Sequence, residues 1–242
     1  MLWGVGTGRC GTMTMAVALG GLHEPRPWIH EEATRYWRGD RSKELLDRLE
    51  NKMMHKLRTE LPIMDLKFSY IIPFIKRRID PEAKFLWMIR NPHEFVRSAI
   101  AKNWYKRTED NCKWVLWDLD RWRITPGGGF DDDCSQVFKC YWYWWATNRC
   151  IDFHIAETKS EFKVIFTHNM GNTICNSHTG TDEPPDVQYD LDANTRDFIR
   201  TEIEPYWKQL QEKHDGRDSV CNQEPYNVCG HLEWAIPYSP VP

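Results

Sequence analysis

Apolar positions along the chain follow two rhythms. Short apolar runs stand at 2–6, 61–66, 84–89 and 162–167, the length of buried strands. Between them the spacing turns helical: a first helix runs to about Leu22, and Leu46, Leu49, Met53 and Leu57 recur on one face of a second. A longer helix is expected from about 134 to 158. A last helical stretch begins near Asp192, is interrupted by Pro205 and stops around Gly216. Strands alternating with helices predict an α/β fold, a three-layer sandwich whose mainly parallel central sheet is covered on both faces through right-handed crossovers. No internal repeat or low-complexity linker divides the chain, so 1–242 is read as a single domain.

Four stretches depart from this rhythm. His23 to Glu32 reads as a polar loop. Residues 104 to 133 carry Trp104, Trp114, Trp117 and Trp122, the run Pro126-Gly127-Gly128-Gly129 and the triplet Asp131-Asp132-Asp133. An irregular insertion of that length suits a substrate lid, and the triplet suits a cap for the next helix better than a metal site. Within that helix Tyr141-Trp142-Tyr143-Trp144-Trp145 must point all round it, some into the core and some toward a cleft or partner. From Asn169 to Asp190 the chain is turn-rich, and the tail with Pro225, Pro237, Pro240 and Pro242 is irregular.

Composition narrows the function classes. The net charge of −3 gives no support to nucleic-acid binding, which calls for a basic excess. No apolar run approaches the ~18 residues of a membrane helix, and a strand follows Met1 at once, so a cytoplasmic protein is expected. The eight cysteines form no C-x-x-C pair, which favours free thiols over disulfides or metal.

The chemistry concentrates where the first strand meets the first helix. Gly6-Thr7-Gly8-Arg9-Cys10-Gly11-Thr12-Met13-Thr14 is a glycine-rich turn of the kind that cradles phosphate: glycines let the backbone approach an anion, and helix N–H groups stabilise its charge. Gly6 and Gly11 have the spacing of the nucleotide loop G-x-x-x-x-G-K-[ST], but Thr12 and Met13 stand in place of its lysine and magnesium-binding hydroxyl. The cation lies inside the loop, at Arg9. Cys10 lies close to a helix start, a position that lowers thiol pKa values.

A second segment has the same logic. The strand Lys84 to Ile89 ends in Arg90-Asn91-Pro92, with Asn91 as N-cap, Pro92 opening a helix, Glu94 three residues past the cap, and Ser98 two turns in. A guanidinium grips phosphate through paired hydrogen bonds and a hydroxyl adds another.

Together these motifs resemble the sulfotransferase family, of a bacterial or phage/marine type. Its phosphosulfate loop carries Lys or Arg, one residue, then Gly-Thr, and it holds the donor's 3'-phosphate with an Arg and a Ser eight positions apart, as Arg90 and Ser98 are. The segment Ile63 to Pro73 is similar to the family stretch with a Lys, at Lys67, followed two residues on by a His base. Ser69 occupies that base position, so the base must come from elsewhere. The resemblance is strong over roughly residues 3 to 102 and faint from 160 to 215.

What the resemblance implies is a P-loop NTPase-like sulfotransferase fold and an enzyme that takes 3'-phosphoadenosine 5'-phosphosulfate as donor and needs no metal. A sulfuryl group would pass to a hydroxyl or amine of a small-molecule or carbohydrate acceptor, releasing 3',5'-adenosine bisphosphate. Gly8, Arg9, Cys10, Gly11, Thr12, Met13, Thr14, Arg90 and Ser98 would bind the donor. Arg9 would neutralise the leaving group, and Lys67 would assist on the sulfuryl oxygens unless it is a solvated strand-end lysine. Glu24 leads as general base, with His23, His30 and Glu31 as alternatives. A P-loop kinase and a non-catalytic carbohydrate- or nucleotide-binding module, reading its ligand with exposed tryptophans, are the other classes open to this sequence.

Overall fold

The computed structural model describes residues 1–24, 29–37, 39–56, 61–105, 135–167 and 191–214. The chain is α/β. Strands β1 (Leu2–Gly6), β2 (Leu22–His23), β3 (Ile63–Met64), β4 (Lys84–Ile89) and β5 (Glu161–Phe166) form one sheet in the order β2-β3-β1-β4-β5. All pairs are parallel, with Gly4 opposite Met64 on one side and Leu86 on the other. Strands β1 and β4 fall where the apolar runs predict them.

Alternation along the strands splits the interior into two cores. Trp3, Val5, Phe85, Trp87, Ile89, Val164 and Phe166 point to a large aromatic core. Leu2, Met64, Leu86 and Met88 point to a smaller one with Cys10, Met15 and Ala16. Helix α1 (Thr12–Ala18) covers the smaller core. On the other face lie α2 (His30–Trp37), α3 (Lys43–Lys56), a 3-10 turn at Leu66–Tyr70, α4 (Ile72–Phe74) with a π turn at Ile75–Ile79, α5 (Pro92–Ala101) and α6 (Gln136–Thr158). Helices α7 (Ala193–Phe198) and α8 (Glu204–His214) pack on α6 from outside, where Trp145 meets Phe198 and Trp144 meets Tyr206 and Trp207.

Several boundaries differ from the sequence reading, each for a physical reason. Helix α1 stops at Ala18 and the chain at Leu22–His23 joins the sheet as β2. Gly20 has φ 62°, and a Cβ on Gly21 would lie 2.4 Å from the Pro62 carbonyl oxygen, so the two glycines end the helix and admit the strand. The polar loop ends earlier than expected, because α2 already starts at His30. Pro205 does not interrupt the last helical stretch: a π turn at Ile199–Ile203 lies just before it and carries the chain from α7 into α8. The cap of α6 is Ser135, whose hydroxyl accepts from the Phe138 N–H at 3.2 Å; the aspartate triplet lies outside the described residues, as do the proposed lid, the turn-rich stretch from Asn169 and the tail.

The aromatic run of α6 turns out to be all core. Tyr141, Trp142, Tyr143, Trp144 and Trp145 are buried, since the helix is enclosed by the sheet, α5, the 3-10 turn, α4 and α7–α8. Most of their polar ends are satisfied in place: Tyr70 Oη donates to Tyr143 Oη at 3.1 Å, and Trp144 Nε1 donates to the Arg90 carbonyl at 2.9 Å. Among the described residues no helix is long and apolar enough to cross a membrane.

Candidate functional site

From β1 the chain passes through α1 to β2 at one edge, whereas from β4 it passes to β5 at the opposite edge. The two courses diverge between β1 and β4, the place where open parallel sheets bind ligands in a crevice beyond the carboxyl ends of the strands. The loop after β1 and the start of α5 both face it.

The cradle has three positions in left-handed backbone. Gly8, Arg9 and Gly11 have φ of 71°, 49° and 87°, and Gly11, the last of them, is the N-cap of α1 with no side-chain cap. Glycine is required at two of its positions by contact as well. A Cβ on Gly6 would lie 2.6 Å from Cys10 Sγ and 2.8 Å from the Met88 carbonyl oxygen, and one on Gly8 would press on Leu66 and Trp104 at 3.2 and 3.3 Å. Arg9 carries a side chain in the same strained region, the kind of outlier that a functional loop retains.

Neighbouring hydroxyls brace the loop. Ser69 Oγ accepts from the Gly6 N–H and donates to the Gly6 carbonyl, both at 3.0 Å. The Thr167 hydroxyl is shared between the carbonyls of Cys10 at 3.0 Å and Ile89 at 3.2 Å, tying the loop to β4. Ser69, which stands at the family's base position, is thus fully buried and structural. Thr167 and this role of Ser69 were not foreseen, because neither belongs to a local motif.

Arg9, Arg90 and Ser98 form one cluster. Arg9 Nε donates to Ser98 Oγ at 3.0 Å, and Arg90 Nη1 donates to the Arg9 carbonyl at 3.1 Å. Asn91 caps α5 as expected, accepting from the His93 and Glu94 N–H groups. The Glu94 carboxylate, expected in the cap, lies 3.4 Å from Arg90 Nε. Among the described residues, two guanidiniums come together here beside the Glu94 carboxylate, donors of the kind that grip an anion.

The other side of the cradle is mixed in charge. The Thr12 hydroxyl, in the lysine slot of a nucleotide loop, is within 3.0 Å of His23 Nε2, while Met13 is exposed. His23 Nε2 lies 3.9 Å from Glu24 Oε1. Glu24 is half-buried with φ 35°, its N–H donating to the Met64 carbonyl at 2.9 Å; burial pushes its carboxyl up, opposed by the charges of Lys67 and then Arg9. Lys67 is not a solvated strand-end residue. It is buried and its Nζ lies 2.8 Å from Asp65 Oδ1.

Among the alternative bases, Glu31 is directed elsewhere, exposed and ion-paired with Arg35 at 3.9 Å and Arg48 at 3.8 Å. The side chain of His30 lies outside the described residues. Cys10 is fully buried and its thiol is pushed up to about 11 by burial, which outweighs its hydrogen bonds and the nearby Arg90, so it is neutral and unreactive at neutral pH. Asp65 escaped the sequence reading, although a carboxylate directly after an apolar strand, at the end where ligands bind, was a readable signal.

No protein-family model matches the chain, and no curated protein matches it. The geometry therefore stands by itself. It combines a glycine-rich cradle, two arginines and a serine joined beside it, and a half-buried carboxylate 3.9 Å from a histidine.

Proposed function

We propose that the chain is a sulfotransferase, built on a P-loop-like sulfotransferase fold, that moves a sulfuryl group from 3'-phosphoadenosine 5'-phosphosulfate to a hydroxyl or amine of a small-molecule or carbohydrate acceptor. One observation carries the reading. Arg9, from the loop after β1, Arg90, directly after β4, and Ser98, two turns into α5, meet through hydrogen bonds of 3.0 and 3.1 Å at the point where the strand order reverses. A donor with phosphate at two ends would replace the Arg9–Ser98 contact, Arg9 turning to the phosphosulfate while Arg90 and Ser98 hold the 3'-phosphate.

In this scheme the acceptor oxygen or nitrogen forms a bond to sulfur as the bond from sulfur to the phosphate oxygen breaks. The electron pair leaves with the bisphosphate. Its developing charge falls on Arg9 and the first-turn N–H groups of Thr12, Met13 and Thr14, which have no intrahelical acceptor. The acceptor's proton passes to Glu24, whose burial makes it more basic than an ordinary carboxylate. His23, bonded to Thr12, is placed to orient that carboxylate. No step requires a metal.

Two features weigh against the other classes. Thr12 and Met13 offer neither the lysine nor the magnesium hydroxyl of a kinase loop, and Trp3, Trp37, Trp87, Trp142, Trp144 and Trp145 are buried rather than displayed for stacking on sugars. Thermal unfolding with added ligand tests the proposal. At a hundredfold excess over Kd, 3',5'-adenosine bisphosphate should add about 2.7 kcal/mol of stability, while magnesium-ATP and sugars add little. An equal response to magnesium-ATP returns the kinase reading, and no response to the bisphosphate removes the sulfotransferase one.

A further inference from the structure

Beside the cradle, three charged side chains share one small volume. Asp65 follows β3 directly, and its N–H donates to the Gly4 carbonyl at 3.2 Å, fixing it against β1. Its Oδ1 accepts from the Lys67 N–H at 2.9 Å and lies 2.8 Å from Lys67 Nζ. Its Oδ2 is buried without a partner. Glu24, at the end of the adjacent strand β2, is the second carboxylate within electrostatic reach of Lys67. The two carboxyls also feel each other, since the Glu24 charge raises Asp65 further above the range that burial already sets.

We infer that Asp65 is a positioning residue: by holding the Lys67 ammonium in a buried ion pair it keeps that ammonium from pairing with Glu24, which is left free to accept a proton at the cradle. The inference rests on the reading of Glu24 as the proton acceptor. Lys67 has little choice of partner in this arrangement. A buried ammonium needs a counter-ion, and contact at 2.8 Å outweighs attraction to a more distant carboxylate. Leaving Asp65 would strip Oδ1 of that charge when Oδ2 already has no partner. Among the described residues the other charged or titratable groups facing Glu24 are Arg9 and His23, and Lys67 is the cation whose placement Asp65 controls.

Removing the Asp65 charge should release Lys67 to Glu24. In Asp65→Asn, where the amide oxygen still caps the 3-10 turn, Glu24 should bind its proton at least about tenfold more weakly than in the parent, read by carbon-13 NMR of its carboxyl against pH. The change must shrink to a small remainder when Asp65→Asn is made in a Lys67→Met background, because the main effect runs through Lys67 and only the weaker carboxyl–carboxyl repulsion remains. An unchanged Glu24 titration, or the same change without Lys67, overturns the inference. Lys67→Met by itself decides the matter if Asp65→Asn does not fold. Asp65, deprived of its counter-ion, should then show the larger rise in proton affinity, and a larger rise at Glu24 would overturn the assignment. These titrations use neither donor nor acceptor, so their failure is distinct from failure to bind the bisphosphate.

Discussion

On one face of the sheet α6 packs Tyr141, Trp142, Tyr143, Trp144 and Trp145 into the core, beside Trp3, Trp87, Phe85 and Phe95. On the other face α1 meets the sheet through Met15 and Ala16, with Cys10 below them and Gly4 and Gly6 in the strand. The first face is filled by bulk, most of whose polar ends find partners, and the second is kept thin. Small residues let the cradle backbone lie against β4 and α1, while the Arg9 side chain stays exposed. The two faces meet at Arg90, whose carbonyl is held by Trp144 Nε1 and whose guanidinium holds the Arg9 carbonyl. The aromatic core thus aims the cations of the thin face.

That division has consequences of different size. Trp144→Ala should cost about 3 to 5 kcal/mol in urea unfolding, from the cavity left and the lost bond to Arg90, and should also weaken bisphosphate binding. A cost below about 1 kcal/mol would break the contrast between the faces. Arg9→Ala should act the other way round, lowering turnover about 10² to 10³-fold while unfolding shifts by no more than about 0.5 kcal/mol. Stability lost in proportion to activity would make Arg9 part of the scaffold. Ser69→Ala should show the smallest and most mixed effect. It leaves both polar groups of Gly6 without their buried partner, for about 1 to 3 kcal/mol, and loosens the loop that binds the bisphosphate. Unaltered calorimetric binding by a folded Ser69→Ala protein would show that the cradle holds its shape without the brace.

The parts of the site that could be read from the sequence were those carried by short spacing. The glycine turn, Asn91 before Pro92, and the eight-residue step from Arg90 to Ser98 are local patterns, and each places its residues at the crevice. Burial and pairing were not legible in the same way. Whether Lys67 is solvated or locked depends on Asp65, and Cys10 lies near a helix start that favours thiolate but inside a core that forbids it. Sequence signals for α1 and Pro205 also misled, because the stop at Gly20–Gly21 and the π turn before Pro205 answer to neighbouring elements. The five aromatics of α6 could not be sorted into core and cleft until the helices around them were known.

Sequence by itself determined the alternation of strands and helices, the two apolar faces of the central strands, and the glycine positions that open a cradle after β1. These follow from hydrophobic period and from backbone conformations that few residues adopt. Tertiary structure decided which side chains come together there: Arg9 with Ser98 across 89 positions, Ser69 with Gly6 across 63, and Lys67 with a buried Asp65 rather than with water. Such partners are set by strand order and burial, because a charge or a hydroxyl takes its protonation state and its role from whatever the fold places within a few ångströms of it.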